Sequence, residues 1–171
     1  ELSGVIFDNI KTAGTTAASV IKLVCSDDDT CHFSYRGGSV SRLNNGYEFL
    51  EDTVQSGFVN MVNVNTIEIT DIKVDTSVIY VPNTEKGDFI KIERCKETIL
   101  ISGLAVTNSY LTGQLIRVDN ANVEYPKDQT VKERLKTLAK THISISDITV
   151  KNFYVRELVH INMENYLQNI K

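Results

Sequence analysis

Cys25 and Cys31 bracket the run Ser26-Asp27-Asp28-Asp29-Thr30 directly after an apolar stretch. Thiols at this spacing close a small loop comfortably, so the pair is expected to form a disulfide clip suited to an oxidising compartment. A free buried thiol is the competing reading, since cysteine sits easily in any core. Cys95 has no partner in this pairing. Inside the loop, the carboxylates of Asp27, Asp28 and Asp29 are the one candidate for holding Ca²⁺ through oxygen ligands. An acidic loop is more often simply solvated, and this one lacks the glycine that a dedicated calcium loop uses for its sharp turn.

Other chemistry is thinner. Glycoside hydrolysis needs two carboxylates about 5–9.5 Å apart across the scissile bond. Arg94 follows Glu93, and Arg117 precedes Asp119 by two residues, each near the end of an apolar run. Such pairs are ordinary at solvent-facing strand positions. His32, His142 and His160 show neither His-x-His nor His-x-x-x-His spacing, which argues against a transition-metal site. Nucleophile elbow, phosphate-cradling glycine loop and local Ser-His-Asp arrangement are all missing from the sequence. No catalytic, cofactor-binding or metal residue is therefore assigned.

The elements that would position these groups are set by a repeat. With Gly4, Gly37, Asp71, Gly103 and Asp147 as reference positions, the steps are 33, 34, 32 and 44 residues. Two residues earlier stand Leu2, Tyr35, Ile69, Ile101 and Ile145; four earlier, Phe33, Ile67, Ile99 and Ile143. Three later come Phe7, Val40, Val74, Val106 and Val150, and one later Val5, Ile72, Leu104 and Ile148, with Gly38 alone breaking the set. The apolar positions alternate with the strand period on both sides of the reference, but the phase slips by one. A slip of one turns a strand inside out unless the backbone bends there. Gly accepts positive φ freely and Asp is among the few residues that tolerate it, so each reference residue is read as a corner between two strands.

A second apolar run follows in each repeat: 20–24, 58–62, 89–92, 115–118 and 158–161, rich in β-branched residues with a polar residue between apolar neighbours. A fixed period in this range marks a repeat architecture, and without hairpin signals the strands are expected to pair in parallel. The expected fold is all-β: a right-handed parallel β-helix, or solenoid, of about five coils spanning 1–171 as a single segment, on the order of 24 Å long. Asn9, Asn108 and Asn152 fall five residues after their references, where stacked Asn side chains can hydrogen-bond along a ladder.

Two insertions interrupt the period. Around 130–140, Thr130-x-x-Glu133 fits a capping box, and Val131, Leu135, Leu138 and Ala139 share one helical face. A short α-helix is expected there, packed on the outer wall, with Val131, Leu135 and Leu138 as candidates for docking a partner. Between Ser41 and Ser56, Tyr47 and Phe49 either form a sugar-stacking platform or fold back onto the coil.

On these corner and ladder positions the chain resembles the pectate-lyase-like superfamily of right-handed β-helices, over nearly its whole length. That superfamily includes polysaccharide lyases, glycoside hydrolases, phage tailspikes and non-enzymatic surface adhesins. Its polygalacturonase-like members share Asn-Thr-Asp, Asp-Asp, Gly-His-Gly and Arg-Ile-Lys motifs. None stands here in usable form, because Asp27-Asp28-Asp29 lies in a loop and no Gly-His-Gly occurs. The lyase-like pattern of a strand-borne Arg beside calcium-binding Asp residues has only Arg94 and Arg117 as counterparts.

Net charge is −4 with pI near 5.4 and no basic stripe, which argues against nucleic acid as a partner. No apolar run reaches the roughly 18 residues of a membrane span. A coil opens at Leu2, immediately after Glu1, so the chain is expected to be a processed or internal segment whose open ends stack on flanking coils or other subunits. The sequence thus points to a non-enzymatic structural or adhesive solenoid module of an extracellular filament or of a cell- or virion-surface assembly. The rival readings are a carbohydrate-active enzyme and a tailspike-like glycan-binding protein.

Overall fold

The computed structural model describes residues 1–12, 19–26, 28–46, 56–81, 87–119 and 142–162. These contain eighteen strands and no helix. Every strand pairing is parallel, and the strands sort into three sheets. The first holds Leu2–Ser3 (β1), His32–Arg36 (β5), Thr66–Thr70 (β9), Thr98–Ser102 (β13) and His142–Ser146 (β16), side by side in that order. The second is built from Ile6–Asp8 (β2), Ser39–Ser41 (β6), Lys73–Asp75 (β10), Ala105–Leu111 (β14) and Thr149–Tyr154 (β17), continued past a bend by Lys11–Thr12 (β3), Asn44–Gly46 (β7) and Val78–Tyr80 (β11). The third holds Ser19–Val24 (β4), Ser56–Val62 (β8), Gly87–Glu93 (β12), Gln114–Asp119 (β15) and Glu157–Asn162 (β18). This is an all-β, solenoid-like arrangement. The helix expected at 130–140 lies outside the described residues.

The registers reproduce the rows read from the sequence. Leu2, Tyr35, Ile69, Ile101 and Ile145 are successive partners across the first sheet. Phe7, Val40, Val74, Val106 and Val150 line up across the second. Ile21, Val59, Ile90, Ile116 and Val159 do so across the third. Apart from Val150 and Val159, the residues of these rows form or pack against one continuous apolar core. Phe58 on β8 bridges β2 and β12, meeting Phe7 edge-on at 5.2 Å and stacking on Phe89 at 5.0 Å.

The phase slip has the backbone cause it requires. Gly4, Gly37, Asp71, Gly103 and Asp147 all take φ between 54° and 64°. The bend costs no ladder bond: Gly4 N donates to Arg36 O at 2.9 Å, Gly37 N to Thr70 O at 2.9 Å and Asp71 N to Ser102 O at 3.0 Å. A second left-handed corner recurs five residues later, at Asn9, Arg42, Thr76, Asn108 and Asn152, with φ from 47° to 54°. The Asn ladder is realised on one stretch, where Asn152 Nδ2 donates to Asn108 Oδ1 at 3.1 Å and Asn108 Nδ2 to Asp75 Oδ1 at 2.9 Å. At Asn9 the row ends, since Arg42 replaces the next Asn and pairs with Asp8 instead.

Gly38, the one break in the apolar row, makes room for the largest inward side chain. A Cβ there would lie 2.3 Å from the Tyr35 hydroxyl and 2.5 Å from Val5 O. The buried Tyr35 hydroxyl uses that gap to donate to Val5 O at 2.9 Å, and burial pushes its pKa up to about 12.

Candidate functional site

The acidic loop is pinned at both ends. Cys25 and Cys31 form a disulfide with their Cα atoms 6.5 Å apart, and Cys25 N donates to Val62 O at the end of β4. Two asparagines of the next repeat hold the loop from one side. Asn63 Nδ2 donates to Cys25 O at 3.1 Å, and Asn65 Oδ1 accepts from Cys31 N at 3.0 Å. Asp28 and Asp29 are exposed, and the Ser26 hydroxyl donates to the Asp29 carboxylate. Asp27 lies outside the described residues, and no group of three metal-ligating side chains forms among those described. Tyr47, Phe49, Val131, Leu135 and Leu138 also lie outside them. Cys95 is not disulfide-bonded; it is buried, its thiol donates to Asn65 O at 3.3 Å, and burial raises its pKa to about 11. That environment holds the thiol protonated and unreactive.

The outer face of the third sheet carries a denser polar arrangement. Lys22, Asn60, Lys91, Arg117 and His160 are register partners in one outward row. The Arg117 guanidinium lies between Asp88, at 3.8 Å, and Asp119, at 3.6 Å. Lys91 Nζ sits 2.7 Å from the Glu93 carboxylate, and His160 Nδ1 lies 2.9 Å from Glu157. Asp88 is buried, and burial pushes its carboxyl above the usual range against the lowering effects of the Gln114 amide, Arg117 and Lys91. Gln114 N donates to Asp88 Oδ1 at 2.8 Å. Gly113 allows that approach, for a Cβ there would stand 2.4 Å from the same oxygen. Asn60 Oδ1, Gln114 Oε1 and Arg117 Nε are buried here without a hydrogen-bond partner among the described residues.

A different surface is exposed at the last strands. Among the described residues, β16, β17 and β18 each pair on one side only, with β13, β14 and β15. Their inward residues match the buried row but are open: Val150, Val159 and Ile161 are 41, 39 and 46 % exposed. Outside, Tyr80, Tyr110 and Tyr154 form an aromatic column, with Tyr110 and Tyr154 stacked at 4.8 Å and 7°. Stacking consumes the ring faces between neighbours and leaves the outer face of Tyr154, 63 % exposed, free.

No family model, curated protein or solved structure matches the chain. The functional reading therefore rests on this geometry alone.

Of the charged pairs named from the sequence, Arg117 and Asp119 do meet, whereas Arg94 occupies a left-handed corner at φ 56°. Asp88 was not singled out, although it is the most buried acid of the cluster. Its signal is weak, a lone Asp after Gly87 at the head of an apolar run; what marks it is the approach of Gly113 and Arg117 from the next strand. The tyrosine column was also missed, because its members fall at unequal steps of 30 and 44 residues. Among the described residues, no helix is long and apolar enough to cross a membrane.

Proposed function

We propose that the chain is a right-handed parallel β-helix of about five coils, of the pectate-lyase-like kind, serving as a non-enzymatic structural or adhesive module of an extracellular or surface assembly. One observation carries the reading. The apolar rows that are buried at β13–β15 continue with the same residue types into β16–β18, where Val150, Val159 and Ile161 stand open beside strand edges that have no partner among the described residues. An open parallel edge with a ready-made core is a template for further strands, and isolated proteins blunt such edges. The Cys25–Cys31 bridge suits the oxidising compartment in which surface assemblies are made.

Immunogold electron microscopy of the source material tests this. Label at regular positions along a filament or surface structure is the expected result. Recovery of the chain only as a discrete soluble monomer would overturn it.

A carbohydrate-active reading has one observation in its favour, the half-buried Arg117 set between Asp88 and Asp119. It requires release of unsaturated or reducing ends from acidic polysaccharides and loss of that activity in Arg117→Ala. No cleavage across such a panel would exclude it.

A further inference from the structure

We propose that the occupant of the open β16–β18 edge is a second copy of this chain, whose β1–β4 dock onto it head to tail in the register that already runs through the molecule. The proposal rests on the structural-module reading and specifies its partner.

The registers fix what would meet what. In the second sheet, Ala105 pairs with Thr149 on one side and, through Lys73 and Ser39, is aligned with Ile6. Repeating that step places Ile6 of a second copy beside Thr149, Phe7 beside Val150, Asp8 beside Lys151 and Asn9 beside Asn152. Past the corner, Tyr110 pairs with Tyr154 and is aligned through Val78 and Asn44 with Lys11. Lys11 of the second copy therefore falls over the free face of Tyr154. In the third sheet, the same step sets Ile21 on Val159 and Leu23 on Ile161.

Each contact is chemically matched. Phe7, Ile21 and Leu23 are inward residues that are only partly buried at the first strands, and they would cover the three open residues Val150, Val159 and Ile161. Lys151 would face Asp8, an opposite-charge pair of the kind that supports adjacent strands. Asn9 would accept or donate along the Asn152–Asn108 ladder. A cation over the Tyr154 ring is attracted by the negative face of its π-system. Lys22 would lie beside His160, whose ring is already directed at Glu157. A contact between two different surfaces of the same chain is heterologous, so it propagates into a filament unless rotation closes it. A partner lacking this pattern would gain the strand edge but not the charge pair, the Asn continuation and the ring cover together.

Register-specific cross-linking tests it. Ile6→Cys and Thr149→Cys are prepared as separate variants, both at outward, exposed positions. Neighbouring Cα atoms in adjacent strands lie at about 4.8 Å, within disulfide reach. Mixed and mildly oxidised, the two variants should give a covalent dimer, and the Ile6→Cys/Thr149→Cys double variant a ladder of multiples. The buried Cys95 stays outside the reaction. An Asp8→Cys chain mixed with Thr149→Cys is two residues out of register, about 6.6 Å along the strand, and should not link. Lys151→Glu in the double variant should reduce the yield severalfold. Equal yields from both pairings would overturn the register. No link from either, with a monomer by sedimentation at high concentration, would overturn self-stacking while leaving the module reading to stand on immunogold labelling.

Discussion

Strands β13–β15 and β16–β18 are built from nearly the same letters and meet opposite fates. Val106, Ile116 and Val118 are buried, while their register partners Val150, Val159 and Ile161 lie open. The corner before each is left-handed, at Gly103 and at Asp147. The difference lies only in what stacks on the far side. Burial in a solenoid is a property of neighbours rather than of a strand's own sequence, so a row of aliphatic residues specifies the coil without guaranteeing its cover.

Truncation at matched positions breaks the comparison most directly. Ile116→Ala removes a fully enclosed side chain and should cost about 2–5 kcal/mol, read from the urea midpoint. Val159→Ala, its partner in register, should cost well under about 1 kcal/mol in the isolated chain, because much of its surface is already in water. Equal losses would mean that the last strands are covered in solution. Under conditions where copies associate, the Val159→Ala effect should grow and appear mainly as lost association.

The disulfide comes next in size. Closing the small Cys25–Cys31 loop restricts the unfolded chain, and opening it with Cys25→Ser/Cys31→Ser should lower stability by about 2 kcal/mol. The loop is tied to the next repeat by Asn63 and Asn65, so the loss should also loosen β4 and with it the first open edge. Faster amide exchange at Ile21 and Leu23 than at Ile116 and Val118 would show this. Uniform exchange across the sheet would contradict it.

How far the letters reached explains why these positions are the informative ones. The five primary corners could be read because Gly and Asp are the residues that accept positive φ at low cost, and the phase slip located them. The second corner was legible only at Asn9, Asn108 and Asn152. Arg42 and Thr76 adopt the same conformation without that preference, held by Arg42 with the Asp8 carboxylate and by the Thr76 hydroxyl donating to Asp75 at 3.0 Å. Thr76 is held by its own neighbour, whereas at Arg42 local propensity is overridden by a partner 34 residues away that no short sequence window contains. The Asp88 cluster was hidden for the same reason. Gly113, Gln114 and Arg117 stand 25 to 29 residues further along, and only stacking brings them against Asp88.

Corner substitutions sharpen the contrast at smaller amplitude. Gly103→Ala places a Cβ in the left-handed region and 2.5 Å from the Asp71 carboxylate, so it should cost about 1–3 kcal/mol. Asp147→Gly, at the matching terminal corner, relieves rather than imposes that strain and should change the urea midpoint by a few tenths of a kcal/mol at most. A large loss in Asp147→Gly would show that its side chain, beside the Ser146 hydroxyl, matters more than its backbone.

The smallest effect concerns acid, and it probes the opposite edge of the molecule. Arg42 and Ser41 hydrogen-bond the Asp8 carboxylate and hold its pKa down to about 2, from 3.8. A depressed carboxylate stabilises the fold above the unfolded value, and that contribution is lost as pH falls from about 4 toward 2. The group is exposed, so solvent screening keeps the change modest. Asp8→Asn should therefore flatten the acid limb of the stability profile slightly in the isolated chain. Were Asp8 also to face Lys151 of a second copy, association would fall over the same pH range, and Asp8→Asn would weaken it at neutral pH as well. Acid-induced dissociation that Asp8→Asn leaves unaltered in both respects would place the charge contact elsewhere. The same variant thus reads the intramolecular pair through unfolding and the intermolecular one through sedimentation.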